Sequence, residues 1–87
     1  MYKVKLLCGY TAYKALWTET MMIGGLGICD ECNKFAPEGY LVPVLNHYQC
    51  PKCHEDWRER AVYYPEDVWS EKRYEQYYES HIPLSDV

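Results

Sequence analysis

Four cysteines fall in two pairs, Cys29-Asp30-Glu31-Cys32 and Cys50-Pro51-Lys52-Cys53, with the spacing C-x2-C-x17-C-x2-C. Two residues between paired cysteines let the backbone turn so that both sulfurs face one point, and two such pairs offer the four soft ligands of a tetrahedral zinc ion. Four thiolates close the coordination sphere and leave no position for water or substrate. That is the structural kind of zinc site, not the catalytic kind. The segment between the pairs is long enough for a β-hairpin that folds the second pair back onto the first.

Other chemistries remain open for the same residues: an iron centre, a redox-active Cys-x-x-Cys, or disulfides. The pairs lie closer together than in rubredoxin-like iron proteins. No βαβ pattern surrounds Cys50-Pro51-Lys52-Cys53, as a redox motif would need. The total of five cysteines is odd, which fits ligation in a reducing compartment better than a disulfide framework. His47 and His54 flank the second pair and read as a surface turn and a helix start. Cys8, the fifth cysteine, reads as a small buried hydrophobe. No nucleophile–base pair or paired carboxylates stand out, so the expectation is a protein that is not an enzyme.

The elements that must position these ligands belong to one small domain over 1–87. N-terminal strands are expected over 1–28, the metal-binding segment over 29–53 and helices over 54–82. A chain of 87 residues buries a modest core, so an internal metal staple is physically expected. Structural zinc supplies roughly 10–16 kcal/mol of apparent binding free energy in small finger peptides. Tyr2–Leu7 alternates as a half-buried strand, and the apolar, β-branched run Ala15–Ile23 is expected to pair with it. Residues 8–14 then form a loop, with a short helix over Thr11–Thr18 as the alternative. Gly24-Gly25-Leu26-Gly27 frees the backbone before the first pair but lacks the following residues of a phosphate loop.

Tyr40–Leu45 reads as a strand that Pro43 interrupts or confines to an edge. Asn46-His47 turns the chain, and Tyr48-Gln49 leads back to the second pair. From His54 the period becomes helical, with Trp57, Ala61 and Tyr64 on one face. Pro65 suits the start of a last helix running to about His81, where Ile82-Pro83 ends it. Leu84–Val87 is expected to fray. The class is therefore α+β.

With these residues in view, 28–54 resembles the zinc ribbon superfamily, in which Cys-Pro-x-Cys is a frequent second knuckle. The resemblance covers under a third of the chain. It implies one structural Zn²⁺ held by Cys29, Cys32, Cys50 and Cys53, and it points to no particular activity. His54 stands where many ribbons have glycine, so the turn after the second knuckle must differ.

The formal charge is −4, and it is uneven. Lys3, Lys5 and Lys14 against Glu19 make the first 28 residues basic, whereas residues 54–87 are strongly acidic. An acidic C-terminal third is a poor surface for a phosphate backbone. Ten tyrosines are present, and Tyr74, Tyr77 and Tyr78 share a helical face with His81. Beside them Asp67, Glu71, Glu75 and Glu79 form a row of carboxylates four apart, an arrangement that destabilises an isolated helix. Either this stripe packs on the core with the acids solvated, or Glu71, Tyr74, Glu75, Tyr77, Tyr78 and Glu79 dock on a basic partner. The leading expectation is a cytoplasmic, non-enzymatic protein-interaction module, an adaptor or regulator such as a small bacterial or phage accessory protein. The competing one is nucleic-acid binding through Lys3, Lys5, Lys14, Lys34 and Lys52. No signal peptide or membrane span is evident.

Overall fold

Four antiparallel strands make a meander in which each pairs with its sequence neighbour. They are β1 (Tyr2–Lys5), β2 (Thr11–Leu16), β3 (Glu38–Val42) and β4 (His47–Gln49), in the order β1-β2-β3-β4. Three helices accompany them: α1 (Trp17–Thr20), continued by a 3-10 turn at Met21–Ile23, then α2 (Pro51–Arg60) and α3 (Val68–His81). The fold is thus α+β. This computed structural model describes residues 1–85; Asp86 and Val87, the end of the stretch expected to fray, lie outside the described residues.

β2 displaces the expected pairing. The strand occupies Thr11–Leu16, where a loop or short helix was expected, with Lys3 opposite Tyr13 and Lys5 opposite Thr11. Thr11, Ala12 and Tyr13 are all buried. A strand covered on both faces loses the alternation that marks a half-buried one. The apolar run after it leaves the sheet at Leu16. There the Glu19 carboxylate accepts from the Leu16 backbone N–H at 2.9 Å, which opens a helical turn.

Successive residues of a strand point to opposite faces, and the two faces here have different covers. On one, Tyr13, Ala15, Leu41 and Tyr48 pack with Met1, with Tyr78 of α3 and with Ile82 just beyond it. Tyr78 meets Tyr13 edge-on at 5.9 Å and donates to Asn46 Oδ1 at 2.8 Å. On the other face Ala12 and Val42 pack with Leu6, Tyr10 and Trp57 of α2. Gly39 permits this arrangement, because a Cβ there would stand 2.5 Å from the Gln49 carbonyl oxygen.

β3 ends at Val42, directly before Pro43, and Asn46 turns the chain with φ 54°. Pro43 thus interrupts the strand as read, although β3 is interior to the sheet rather than an edge. Near the C-terminal end Ser85 donates its backbone N–H to the Met1 carbonyl at 2.8 Å, so Ser85, expected to fray, is tied to the N-terminus.

Candidate metal centre

The first cysteine pair sits on a narrow hairpin closed by an Ile28–Phe35 bridge. The Cys29 N–H donates to Lys34 O at 2.9 Å and Asn33 N–H to Cys29 O at 2.8 Å. Asn33 takes φ 63°, a left-handed turn that asparagine tolerates. This curls Glu31 N–H to 3.4 Å from Cys29 Sγ. At the second pair Cys50 caps α2, and its sulfur accepts from Cys53 N–H at 3.4 Å. Pro51 fills the first helical position, where a missing N–H costs nothing. The helix therefore starts three residues before the expected His54.

These two turns bring all four sulfurs together: the Sγ atoms of Cys29, Cys32, Cys50 and Cys53 lie within 4.8 Å of one another. Cys32 and Cys50 are 3.9 Å apart. A tetrahedron with metal–sulfur bonds of about 2.3 Å has edges of about 3.8 Å, so the four thiols are positioned to bind one metal ion. Their ionisation fits that reading. Burial pushes the Cys29 thiol up, but backbone N–H groups of Cys50, Cys32 and Glu31 outweigh it and bring the group down to about 7. Cys53 is pushed far up by the neighbouring sulfurs, Cys50 first. Four sulfurs this close cannot all hold negative charge unaided, and a central cation removes the conflict.

Around the sulfurs a polar brace joins the first knuckle to β4. Asp30 N–H donates to Tyr48 O at 2.8 Å, and Tyr48 N–H returns to Asp30 Oδ2 at 2.7 Å. Glu31 Oε1 is 2.9 Å from His47 Nδ1 and accepts from Gln49 Nε2 at 3.3 Å. The His47 contact, then the Gln49 bond, hold the Glu31 carboxyl below the usual carboxylate range. Because the Gln49 amide nitrogen is committed to Glu31, its oxygen faces His54 Nδ1 at 2.9 Å. An oxygen only accepts, so Nδ1 carries the ring proton. His54 is 1% exposed and stacks on Tyr40 at 3.9 Å. It is therefore an interior residue, not the surface helix-start read from sequence. Burial, with a small push from Arg58, lowers it to about 4. Its spacing of three from Trp57, on the same side of α2, was the signal available.

The acidic row of α3 faces the sheet. Asp67 Oδ2 accepts from the Tyr10 hydroxyl at 2.7 Å, and Glu71 Oε2 from Thr11 N–H at 2.8 Å. Glu75 pairs with Lys3 at 3.1 Å, and Glu79 takes both Lys3 and the Tyr13 hydroxyl. The expected solvated row is thus an internal ladder onto β1, β2 and the turn between them. Within the proposed contact stripe, Glu71 is 4% and Tyr78 1% exposed, so neither presents a surface for docking. Tyr74, Glu75 and Glu79 are half-buried, and Tyr77 is exposed. The lysines do not share one face either: Lys3 and Lys5 lie on the Tyr13 and Thr11 positions, and Lys14 lies on the opposite side of the sheet. Cys8 is half-buried against the Leu6–Tyr10 cluster.

An exposed apolar shelf beside the first knuckle escaped the sequence reading. Trp17, Met21, Met22, Leu26, Ile28 and Phe35 are all exposed, from 37% at Trp17 to 73% at Leu26. The Trp17 and Phe35 rings meet edge-on at 5.6 Å across Gly27. The run Ala15–Ile23 carries the apolar signal, but in sequence it reads as a strand pairing with Tyr2–Leu7.

Among the described residues no helix is long and apolar enough to cross a membrane. No family model matches the chain, and no curated protein or solved structure matches it.

Proposed function

We propose that this chain is a non-enzymatic, zinc-stabilised protein-interaction module of the zinc ribbon kind, working in a reducing compartment such as the cytoplasm. The closed set of four thiols supports structural zinc, since a catalytic site keeps an open position. The exposed shelf of Trp17, Met21, Met22, Leu26, Ile28 and Phe35 carries the interaction reading. Aromatic and methionine side chains are enriched in the centres of protein interfaces, where charge is depleted. The formal charge of −4 favours a partner whose apolar contact patch has a basic rim. The α3 carboxylates, spent on the protein's own strands, contribute through net charge rather than direct contact.

The test is affinity capture with the zinc-loaded chain and with a Met22→Glu/Phe35→Glu variant of matching zinc content and circular dichroism. A stoichiometric protein partner held by the first and lost by the second supports the reading. Capture indifferent to the substitutions overturns the shelf as contact surface. Salt-sensitive retention of DNA or RNA in a mobility-shift assay overturns the protein-partner reading, because phosphate contacts weaken steeply with salt.

A further inference from the structure

Because Glu71, Glu75 and Glu79 all turn toward β1 and β2, the outward side of α3 carries no carboxylate from its own helix. Along that side Trp69, Lys72, Arg73, Gln76 and Tyr77 recur at spacings of three and four, which makes them neighbours on one helical face. All five are exposed, and Trp69 leaves 81% of its surface in water. A lone exposed apolar residue is ordinary on a protein surface. Trp69 is not alone: with Arg73 and Tyr77 it forms a ridge at i, i+4 and i+8, the kind of row that packs into the groove of another helix. Tryptophan, arginine and tyrosine are also the residue types that dominate binding hot spots.

We propose that this stripe is a second protein-docking surface, and that its occupant is an amphipathic helix of another protein whose apolar face is edged by carboxylates. The charge pattern selects the class. Among the described residues neither Lys72 nor Arg73 forms an ion pair, so both cations are available beside the ridge. The Arg73 guanidinium suits a carboxylate, which it can hold with two parallel hydrogen bonds. Glu66, one turn before Trp69, is the exposed carboxylate at the N-terminal end of the stripe. Two cations in a chain of formal charge −4 are too few to track a phosphate backbone. A second copy of the chain fits poorly as well, since an antiparallel two-fold pairing centred on the ridge sets Arg73 against Arg73. The stripe lies on a different element from the apolar shelf and has the opposite charge preference. It stands or falls independently of that shelf.

The probes are a short helical peptide with a leucine face edged by glutamates and its lysine-edged twin, titrated into the nitrogen-labelled, zinc-loaded full chain and followed by NMR. We expect the acidic peptide to give saturable shifts at the Trp69 indole N–H and at the amides of Arg73 and Gln76. Its affinity should fall as salt rises, and the lysine-edged twin should leave those signals unmoved. Trp69→Ala and Arg73→Glu should each weaken the acidic peptide at least about ten-fold, as hot-spot residues do. Both positions face water, so the thermal melts of these variants should match wild type. Met22→Glu/Phe35→Glu, which alters the shelf, should leave this affinity unchanged. Equal binding of the two peptides, no saturable shift at Trp69, or affinity indifferent to both α3 substitutions would each overturn the proposal. So would a Trp69 signal that shifts on dilution alone, which would mark a second copy as the occupant. Tighter, salt-sensitive binding of a thymidine oligonucleotide at the same signals would overturn it in favour of a phosphate backbone.

Discussion

The Tyr13 hydroxyl on β2 donates to the Glu79 carboxylate on α3, across 66 positions of sequence. The same carboxylate takes Lys3 of β1 at 2.9 Å, so one side chain fastens the last helix to two adjacent strands. The Tyr13 bond and then Lys3 hold Glu79 below the ordinary carboxylate range. A group depressed in the folded state stabilises above its unfolded pKa, and that contribution fades as pH falls through the folded value. Glu79→Gln should cost about 0.5–1.5 kcal/mol at pH 7, with the gap to wild type closing below the usual glutamate range. Urea unfolding of both proteins at matched pH, with zinc present, reads that gap. An unchanged gap at pH 7 and in acid would remove Glu79 from the account.

Glu71 has the opposite sign. Burial raises its carboxyl, partly countered by the Thr11 N–H it accepts. Folding therefore favours the protonated form, and stability from this group is lost as pH rises above the unfolded value. Glu71→Gln keeps an acceptor without the charge, and its advantage over wild type should grow from pH 4 to pH 7. Glu71→Leu leaves Thr11 N–H buried and unpaired, which should cost about 1–3 kcal/mol. Thermal melts of the three proteins at both pH values separate charge from hydrogen bond.

Metal extraction should uncouple the first knuckle from α2. The Asp30–Tyr48, Glu31–His47 and Glu31–Gln49 contacts then join that loop to β4. Native mass spectrometry should show one zinc per chain, lost on acid denaturation, and a strong chelator should abolish the cooperative melt. Cys32→Ser should bind zinc more weakly while Cys8→Ser leaves its stoichiometry unchanged. Equal loss from both would mean that the fifth cysteine belongs to the site.

Two glycines with positive φ provide a matched pair. Gly27 has φ 72° and a Cβ there would lie 2.6 Å from Trp17 Cβ; Gly24 has φ 82° and open space around it. Gly24→Ala should cost about 1–2 kcal/mol for the left-handed conformation alone. Gly27→Ala should cost distinctly more and shift the Trp17 fluorescence, because it also separates that ring from Phe35.

What could be read in advance depended on whether a signal was local. The cysteine spacing, the Pro65–His81 helix region and the interruption at Pro43 rest on short-range chemistry, and each appears in the structure. The ladder spacing at 67, 71, 75 and 79 was legible too. Its direction was not, since carboxylates default to solvent unless distant hydroxyl, amide and ammonium donors await them. β2 was missed because burial on both faces erased its alternation. The α1 run was misassigned because apolar residues kept on the surface look like core ones in sequence. The Gln49–His54 contact was hidden because it depends on how α2 lies against β4.

The carboxylate ladder also orders events during synthesis. A meander with neighbouring strands paired can close as the chain emerges, and so can a metal knot confined to residues 29–53. The hydroxyls of Tyr10 and Tyr13 must wait for partners 57 and 66 positions later, and Lys3 waits 76 for Glu79. Contacts that distant carry a large loop-closure cost. Until α3 has emerged from the ribosome, the sheet face under it stays bare, and the nascent chain is a half-clad sheet whose tyrosines are open to chaperones.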